Sequence, residues 1–539
     1  LIENHLDNTS LSSDVARWNI APLCIASDEF AAAQQPRGIQ FWEYINQTAP
    51  NAFKYARLHN IFTSSEGDRR GGSNAGGDVV YLDNGDIAYN WTRVDKLYDA
   101  ITSCNITPFV ELGFMPKLLS SNPINEPERR LPDNSTEWEN LISAFLHHVG
   151  SRYGNDTIKN WRYEVWNEPD AGSFWADPEE DYFILYASTA WAIKNYSADL
   201  KVGGPAVAND HDFFHDFLEY CDVNKLPLDF LSFHSKGSDG GEDFPSHAQL
   251  TSRIQGYIDI IEQYPAYDQS SGANVEYFLT EADPIVGSHR NKEEYPKFSF
   301  RDTEYYPAWI INMLSQLVEL QVRNNISIHG IFSHNLLFPW EAKSFYGTRG
   351  FLTPLFEEGV PIPTSIPEDM PLPECSAVLG KPVFTGALMV NQITRNASLL
   401  LKSELKGIPA YKDLVGALAF RAAGEKIQLL ISHQEAQTIA TISREITIKV
   451  NLTAPGHANP TGKAMITETR LDRMNNNVFR SWENLGSPVI VTQSQITSFQ
   501  ATALPTVTSS ASFDIKDGTI STKLQLKAYS SVLLEIEVA

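Results

Sequence analysis

Basic residues are in short supply in this chain, and cysteines are rarer still. Lys and Arg number 42 against 66 Asp and Glu, leaving a net charge of −24 at neutral pH over 539 residues. A surface of that sign repels phosphate backbones, which argues against nucleic-acid binding. No run of roughly 18 apolar residues is present to cross a bilayer, so no membrane span is expected. The cysteines are Cys24, Cys104, Cys221 and Cys375, with no Cys-x-x-Cys spacing, which weakens any zinc reading. Their wide separation leaves two disulfides, in any of three connectivities, or buried free thiols open. No Gly-x-Gly-x-x-Gly follows the first strand-like segment, and the Gly-rich stretch Gly67 to Gly77 lacks Gly-Lys-Ser/Thr. Dinucleotide and phosphate-loop chemistry are therefore not expected. Scattered His, Asp and Glu form no metal cluster in the sequence, so neither metal nor cofactor is expected.

What is present points to a globular protein of two or three domains: 42% hydrophobic residues, 11% aromatic, and a length beyond one ordinary core. Ten Asn-x-Ser/Thr sequons occur, at Asn8, Asn46, Asn90, Asn105, Asn134, Asn155, Asn195, Asn325, Asn396 and Asn451. That number favours N-linked glycans and the secretory route. A start at Leu1, without methionine or an apolar leader, is consistent with a removed signal peptide, and the protein is expected to be secreted.

Strand-like and helix-like segments alternate for nearly 400 residues. Strands are expected at Leu23–Ala26, Tyr55–Asn60, Thr107–Gly113, Tyr163–Trp166, Lys201–Pro205, Leu228–His234, Val275–Glu281 and Ile326–His334. Helices are expected between them, for instance at Thr92–Ser103. The helix after the third strand opens on Thr136-Glu-Trp-Glu139, which fits a capping box. The helix from about Pro178 to Tyr196 is expected to bury Phe183, Tyr186, Ala187, Ala190 and Trp191 on one face. A proline-rich excursion covers Pro361 to Pro373, and Pro382–Ile393 closes as a helix. Eight such units predict an α/β fold of the (β/α)8 TIM-barrel type, spanning 21–398. From 399 to 539 the pattern turns to period two, as in Ile446, Ile448, Val450 and Leu452, with no helical signal. An antiparallel β-sandwich is expected there, and residues 1–20 can add a strand to it.

The stretch Trp161-Arg-Tyr-Glu-Val-Trp-Asn-Glu-Pro-Asp170 organises the chemistry. Its strand ends at Asn167-Glu168-Pro169, because proline has no N–H for the ladder and restricts its predecessor. Glu168 is thus held at the carboxyl end of a barrel strand, where chemistry sits in this fold. Glu281 ends the seventh strand in the same way and opens onto the same mouth. Two carboxyls about 5–5.5 Å apart are what a retaining glycosidase requires, one protonated and one ionised.

At this point the sequence resembles glycoside hydrolase family 39. The resemblance is carried by Tyr55-Ala-Arg-Leu-His59, Trp166-Asn-Glu-Pro169, Lys201-Val-Gly-Gly-Pro205, Phe230-Leu-Ser-Phe-His234, Thr280-Glu-Ala-Asp-Pro284 and Gly380-Lys-Pro-Val383. It implies that Glu168 is the acid/base and Glu281 the nucleophile. Within the family, three segments look more like the α-L-iduronidase branch than the β-xylosidases. These are His234-Ser-Lys-Gly237, Glu281-Ala-Asp-Pro-Ile-Val-Gly287, and Arg349 in Tyr346-Gly-Thr-Arg-Gly-Phe-Leu-Thr353. They imply that Lys236, Arg349 and backbone amides near Gly287 meet a substrate carboxylate, which needs such partners once desolvated. Asn335 stands where that branch has a substrate-contacting aspartate.

Asn167 is expected to donate to the sugar 2-hydroxyl, and His59 and His234 to contact sugar rather than serve as core histidines. Arg57 and Glu111 divide evenly between an interior ion pair and substrate contact. Asp283 is expected to shape the nucleophile loop, and Trp175 or Trp340 to supply a stacking platform. The function expected is a secreted, retaining exo-glycosidase on terminal uronic acid residues of an oligo- or polysaccharide. A β-xylosidase is the nearest alternative, and a non-catalytic carbohydrate-binding protein the alternative of another class.

Overall fold

The structure is a computed structural model that describes residues 2–4, 23–27, 36–63, 78–240, 245–287, 290–334, 343–362, 374–395, 399–401, 403–405, 414–422, 426–435, 441–453 and 459–538. The loop 67–77, Asn335, Trp340, most of the proline-rich excursion and the sequons at Asn8 and Asn396 lie outside the described residues.

Eight parallel strands close into a barrel: β1 (Leu23–Ser27), β2 (Tyr55–Leu58), β3 (Thr107–Leu112), β4 (Arg162–Val165), β5 (Lys201–Val207), β6 (Phe230–Lys236), β7 (Glu276–Asp283) and β8 (Ile328–His334). Each pairs with the next, and β8 returns to β1. The principal helices outside are α1 (Pro36–Thr48), α2 (Thr92–Ser103), α3 (Ser135–Tyr153), α4 (Glu179–Tyr196), α5 (His211–Asn224), α6 (His247–Ile261), α7 (Tyr305–Asn324) and α8 (Pro382–Arg395). This is the (β/α)8 barrel that the alternation of patterns predicts. Between β8 and α8 the chain adds an antiparallel pair, Leu352–Leu355 with Ala377–Gly380.

The barrel interior is filled in layers. Tyr55, Phe109, Phe230, Phe278 and Phe332 meet with Cys24 in one apolar cluster, and Phe109 lies 4.9–5.9 Å from the four other rings. Two residues further along β2, β3 and β6, the same inward parity brings Arg57, Glu111 and Ser232, and a further two bring His59 and His234. On β7 that parity is broken. Leu279 pairs with Phe233 and Glu281 with His234, so Thr280 is an extra residue, a β-bulge. A bulge shifts every following side chain to the other face. Glu281 therefore shares the inward face with His234.

Two local expectations are corrected. The cap of α3 is Asn134, whose side chain accepts from the Thr136 N–H, so no capping box forms on Thr136. Trp191 is 48% exposed; α4 instead buries Tyr182, Phe183, Leu185, Tyr186, Thr189, Ala190 and Ile193. All four cysteines are buried thiols rather than disulfides.

The C-terminal region is two packed sheets. One is six-stranded, in the order Leu399–Leu401, Val415–Arg421, Ile427–His433, Ser531–Val538, Gly462–Leu471, Ser509–Ile515. The other runs Ser403–Leu405, Ile2–Asn4, Ser443–Asn451, Thr519–Lys527, so the N-terminal strand lies inside this sheet and parallel to Ser443–Asn451. Two helices, Val478–Asn484 and Gln493–Thr502, also occur, where sequence periodicity gave no helical signal. They are short and each buries few side chains, so the pattern had little length in which to show. The six-stranded sheet packs against α7. Arg480 makes a two-pronged pair with Glu304, at 2.8 Å to each oxygen, just ahead of that helix.

Candidate active site

The turn after β4 is built from unusual backbone. Trp166 and Glu168 have φ of 72° and 44°, a left-handed region that non-glycine residues enter at a cost and keep where surrounding contacts enforce it. Those contacts are specific. The Glu168 N–H donates to the Ala206 carbonyl at 3.0 Å, and Tyr182 Oη donates to the Val165 carbonyl at 2.9 Å. Trp166 Nε1 donates to the Phe174 carbonyl at 3.1 Å. Asp170 accepts from the N–H groups of Ala208, Asn209 and Asp210 and so ties the turn to the end of β5. The result aims Glu168 inward, where Oε1 lies 2.8 Å from His234 Nδ1.

Glu281 comes to the same point from the other side. One oxygen from each glutamate and a ring nitrogen of His234 all lie within 4.8 Å of one another. Around Glu281 stand three cations, Lys236 Nζ at 2.5 Å, Arg349 Nη1 at 3.5 Å and Arg57 Nη1 at 3.8 Å, and the ring of His59 with Nε2 at 3.8 Å. Burial by itself raises this carboxyl. Lys236, His234, Arg349 and His59 overcome that and hold it well below the ordinary carboxylate range. The three clustered groups could each offer a ligand atom to a metal ion. The cations already gathered on Glu281 oppose a further one, and the donor set fits proton and nucleophile chemistry better than metal binding.

Beneath the two glutamates, Arg57 joins the layers. Its guanidinium reaches Glu164 at 2.5 Å, Glu111 at 2.8 Å and Asn167 Oδ1 at 2.9 Å. The interior ion pair anticipated as one role of Arg57 and Glu111 is thus formed. His59 is oriented by Glu111, Nδ1 to Oε2 at 2.6 Å. Asn167 is fully buried, with Oδ1 fixed by Arg57, while its Nδ2 makes no hydrogen bond among the described residues. A buried amide donor left in this way has reason to meet a ligand oxygen. Asp283 accepts from Tyr306 Oη at 2.8 Å and lies 3.5 Å from both Arg301 and Arg349, in keeping with a role in shaping its loop.

Other candidates fall elsewhere. Gly287 lies on the loop after β7 with φ of 99°, and its carbonyl accepts from Arg301 Nη1 at 3.0 Å. Trp175 is 3% exposed, set edge-on to Trp166 with its indole N–H on the Pro178 carbonyl, so it is a packing residue and not a platform. The aromatic wall that sequence reasoning missed is Phe114 and half-buried Phe174, each with its ring centre 6.1 Å from that of His59. Neither carries a motif; only the folding of the β3 and β4 loops brings them to the mouth. Glu164 was also missed, although its inward parity two residues past Arg162 was a readable signal.

Paired glutamates at the C-terminal ends of β4 and β7, inside a (β/α)8 barrel, define a barrel glycoside hydrolase. Residues 40–520 match the family described as Glycosyl hydrolases family 39, and the chain belongs to it. It is 29% identical over 306 residues to a beta-xylosidase of Geobacillus stearothermophilus, covering 54% of this chain and 57% of that protein. It is 22% identical over 450 residues to the alpha-L-iduronidase of Homo sapiens, covering 78% of this chain and 62% of that one. The matches thus span less than two thirds of either relative's length. Among solved structures, a monomeric beta-xylosidase from Caulobacter crescentus CB15 superposes over 99% of both chains with a TM-score of 0.73 at 23% identity, a likeness of fold.

Proposed function

We propose that this glycoside hydrolase is a retaining exo-glycosidase that removes terminal uronic acid residues from an oligo- or polysaccharide, with Glu168 as acid/base and Glu281 as nucleophile. The observation that carries the retaining assignment is the spacing of the two carboxylates. One oxygen of each carboxyl lies within 4.8 Å of the other, which is in keeping with the roughly 5–5.5 Å carboxyl spacing of retaining enzymes rather than the about 6.5–9.5 Å that leaves room for an inverting enzyme's water. In the first step protonated Glu168 gives its proton to the departing oxygen while ionised Glu281 bonds to the anomeric carbon. Glu168, now ionised, then takes a proton from the water that attacks the same carbon and releases Glu281. Asn167 Nδ2 donates to the 2-hydroxyl, and His59, oriented by Glu111, contacts the sugar ring.

The uronate is supported by charge. At the corner of the pocket nearest β6, β7 and the loop after β8, Lys236 Nζ and Arg349 Nη1 stand 2.5 and 3.5 Å from Glu281, so a substrate carboxylate brought there meets two cations able to hold it by charge-assisted hydrogen bonds. A β-xyloside has nearly the same ring without that group, and it is the second reading because beta-xylosidases are among the relatives. In both readings Glu281→Ala abolishes turnover of the glycoside and added azide returns a product of inverted anomeric configuration. Full residual activity in that variant sinks the assignment. A panel of chromogenic uronides, pentosides and hexosides separates the two substrates.

Secretion with N-linked glycans fits the surface. Asn46, Asn90, Asn105, Asn134, Asn155, Asn195 and Asn325 are exposed, and Asn451 is half-buried. Treatment of the natural protein with an N-glycan-releasing amidase should then lower its apparent mass; no change removes this part of the reading.

A further inference from the structure

Arg349 is buried beside Glu281, yet it sits on a long connection and not on a barrel strand. Side chains on loops are held less firmly than those on strands unless a supporting shell fixes them. The shell is provided by the C-terminal region. Four residues before Arg349, Phe345 is fully buried with φ of 51°, a left-handed conformation that surrounding contacts must enforce. Its ring lies 5.4 Å from Phe479 and 4.9 Å from Trp482, centre to centre, both on the helix Val478–Asn484. The Phe345 N–H donates to Thr353 Oγ1 at 2.7 Å, which fixes the loop against the strand that follows.

The links continue on both sides of the anchor. Lys292 Nζ stands 5.7 Å over Phe479 and 5.6 Å over Trp482, while its N–H donates to the Tyr346 carbonyl at 3.0 Å. Lys381 Nζ holds the carbonyl and Oγ1 of Thr348 at 3.3 and 3.2 Å, immediately before Arg349. The short run of chain from Phe345 to Arg349 is therefore held at Phe345 by Trp482, at Tyr346 by Lys292 and at Thr348 by Lys381.

We propose that the C-terminal region takes part in catalysis through this anchor: the helix Val478–Asn484 grips Phe345, and Phe345 sets the loop that presents Arg349 to Glu281. Phe345, Phe479 and Trp482 are positioning residues, and none touches substrate. The idea rests on Glu281 as nucleophile, which the Glu281→Ala variant tests separately.

The experiment is a double-mutant cycle. kcat/KM is measured for the wild type, Trp482→Ala, Arg349→Ala and the double variant, on whichever aryl glycoside the wild type turns over fastest. A misplacement of about 1 Å costs roughly 10²-fold when it reaches the reacting groups, so Trp482→Ala is expected to lose about 10- to 100-fold. With Arg349 already gone, the same change is expected to cost less than about twofold, because coupled residues are not additive. Trp482→Phe, which keeps a ring against Phe345, restores most of the activity. Equal losses in both backgrounds overturn the proposal, as does a Trp482→Ala enzyme that melts earlier but turns over at the wild-type rate. If Trp482→Ala does not fold, Phe479→Leu carries the same cycle with the same criteria.

Discussion

Replacing Lys236 with methionine keeps most of the unbranched apolar stem of the side chain and removes one charge from the surroundings of Glu281. In the folded enzyme Nζ lies 2.5 Å from Oε2 at a site where both side chains are 10% exposed, so solvent screens the pair weakly. An opposite charge this close lowers a carboxyl by about one to three pH units, while burial raises it. The wild-type carboxyl is held well below its ordinary value, so Glu281 is ionised throughout the range above it, and kcat/KM should not fall until pH passes under the ordinary carboxylate range. In Lys236→Met the balance moves toward burial, and the acid limb of kcat/KM should rise by about one to three pH units. The linked stability has the same sign. A depressed carboxyl contributes stability present above its unfolded value and lost as pH falls through its folded value. Losing one partner of a buried pair costs about 3–5 kcal/mol, and Arg349 and Arg57 remain within 3.5 and 3.8 Å, which places the loss at the lower end. The assay is a pH profile of kcat/KM on an aryl xyloside and an aryl uronide in parallel. Because Nζ touches Glu281 itself, the limb should move on both substrates, and a uronide should lose additional rate at every pH. An acid limb that stays in place on both would refute the assignment of Lys236 as the main partner of Glu281.

Other predictions follow from the core. Phe109→Ala removes the ring at the centre of the barrel's aromatic layer and should cost about 3–5 kcal/mol, read as a lower urea midpoint at unchanged slope; a loss below about 1 kcal/mol would contradict that packing. His247 donates from Nε2 to the Trp309 carbonyl at 3.0 Å and stacks on that indole at 4.4 Å, and burial lowers its pKa to about 4. The unfolded chain takes up this proton near pH 6.5 and the folded one does not, so stability falls by about 1.4 kcal/mol per pH unit between those values, about 3 kcal/mol in all. His247→Gln, which retains a donor and cannot titrate, should flatten the melting temperature across that window, and an unchanged slope would show that His247 is not the group responsible.

The fold was legible because its signals are redundant. The barrel strands are short, apolar on the face that meets the helices and mostly closed by polar residues or proline, and α2 agrees with expectation at both ends. The differences lie where two local signals compete. Asn134 stands one residue ahead of α3 and takes the Thr136 N–H with its own side chain, so the Thr136 pattern with Glu139 had no free donor to cap. The strand expected from Leu228 begins at Phe230 and runs on to Lys236, which puts Lys236 on the barrel wall and not in a loop. Trp191 matches a helical face by spacing, but that edge of α4 meets solvent because α3 and α5 cover the other one.

Of the site, the two glutamates were legible from their place near strand ends, while the roles of acid/base and nucleophile came from the family resemblance and not from strand position. The bulge at Thr280 decides whether Glu281 points into the barrel at all, and no residue type marks it. The four cationic or titratable groups around Glu281 come from β6, from β2 and the residue that follows it, and from the loop after β8. Glu168 is 17% exposed and pairs with the ring of His234. A carboxylate ringed by cations is ionised before substrate arrives, as a nucleophile must be, and one set beside an imidazole at the mouth is placed to exchange a proton with substrate and water. The proposed division of labour therefore rests on which distant segments the barrel brings to each glutamate. Moving Arg349 or Lys236 would alter it while leaving both glutamates and their local sequences untouched.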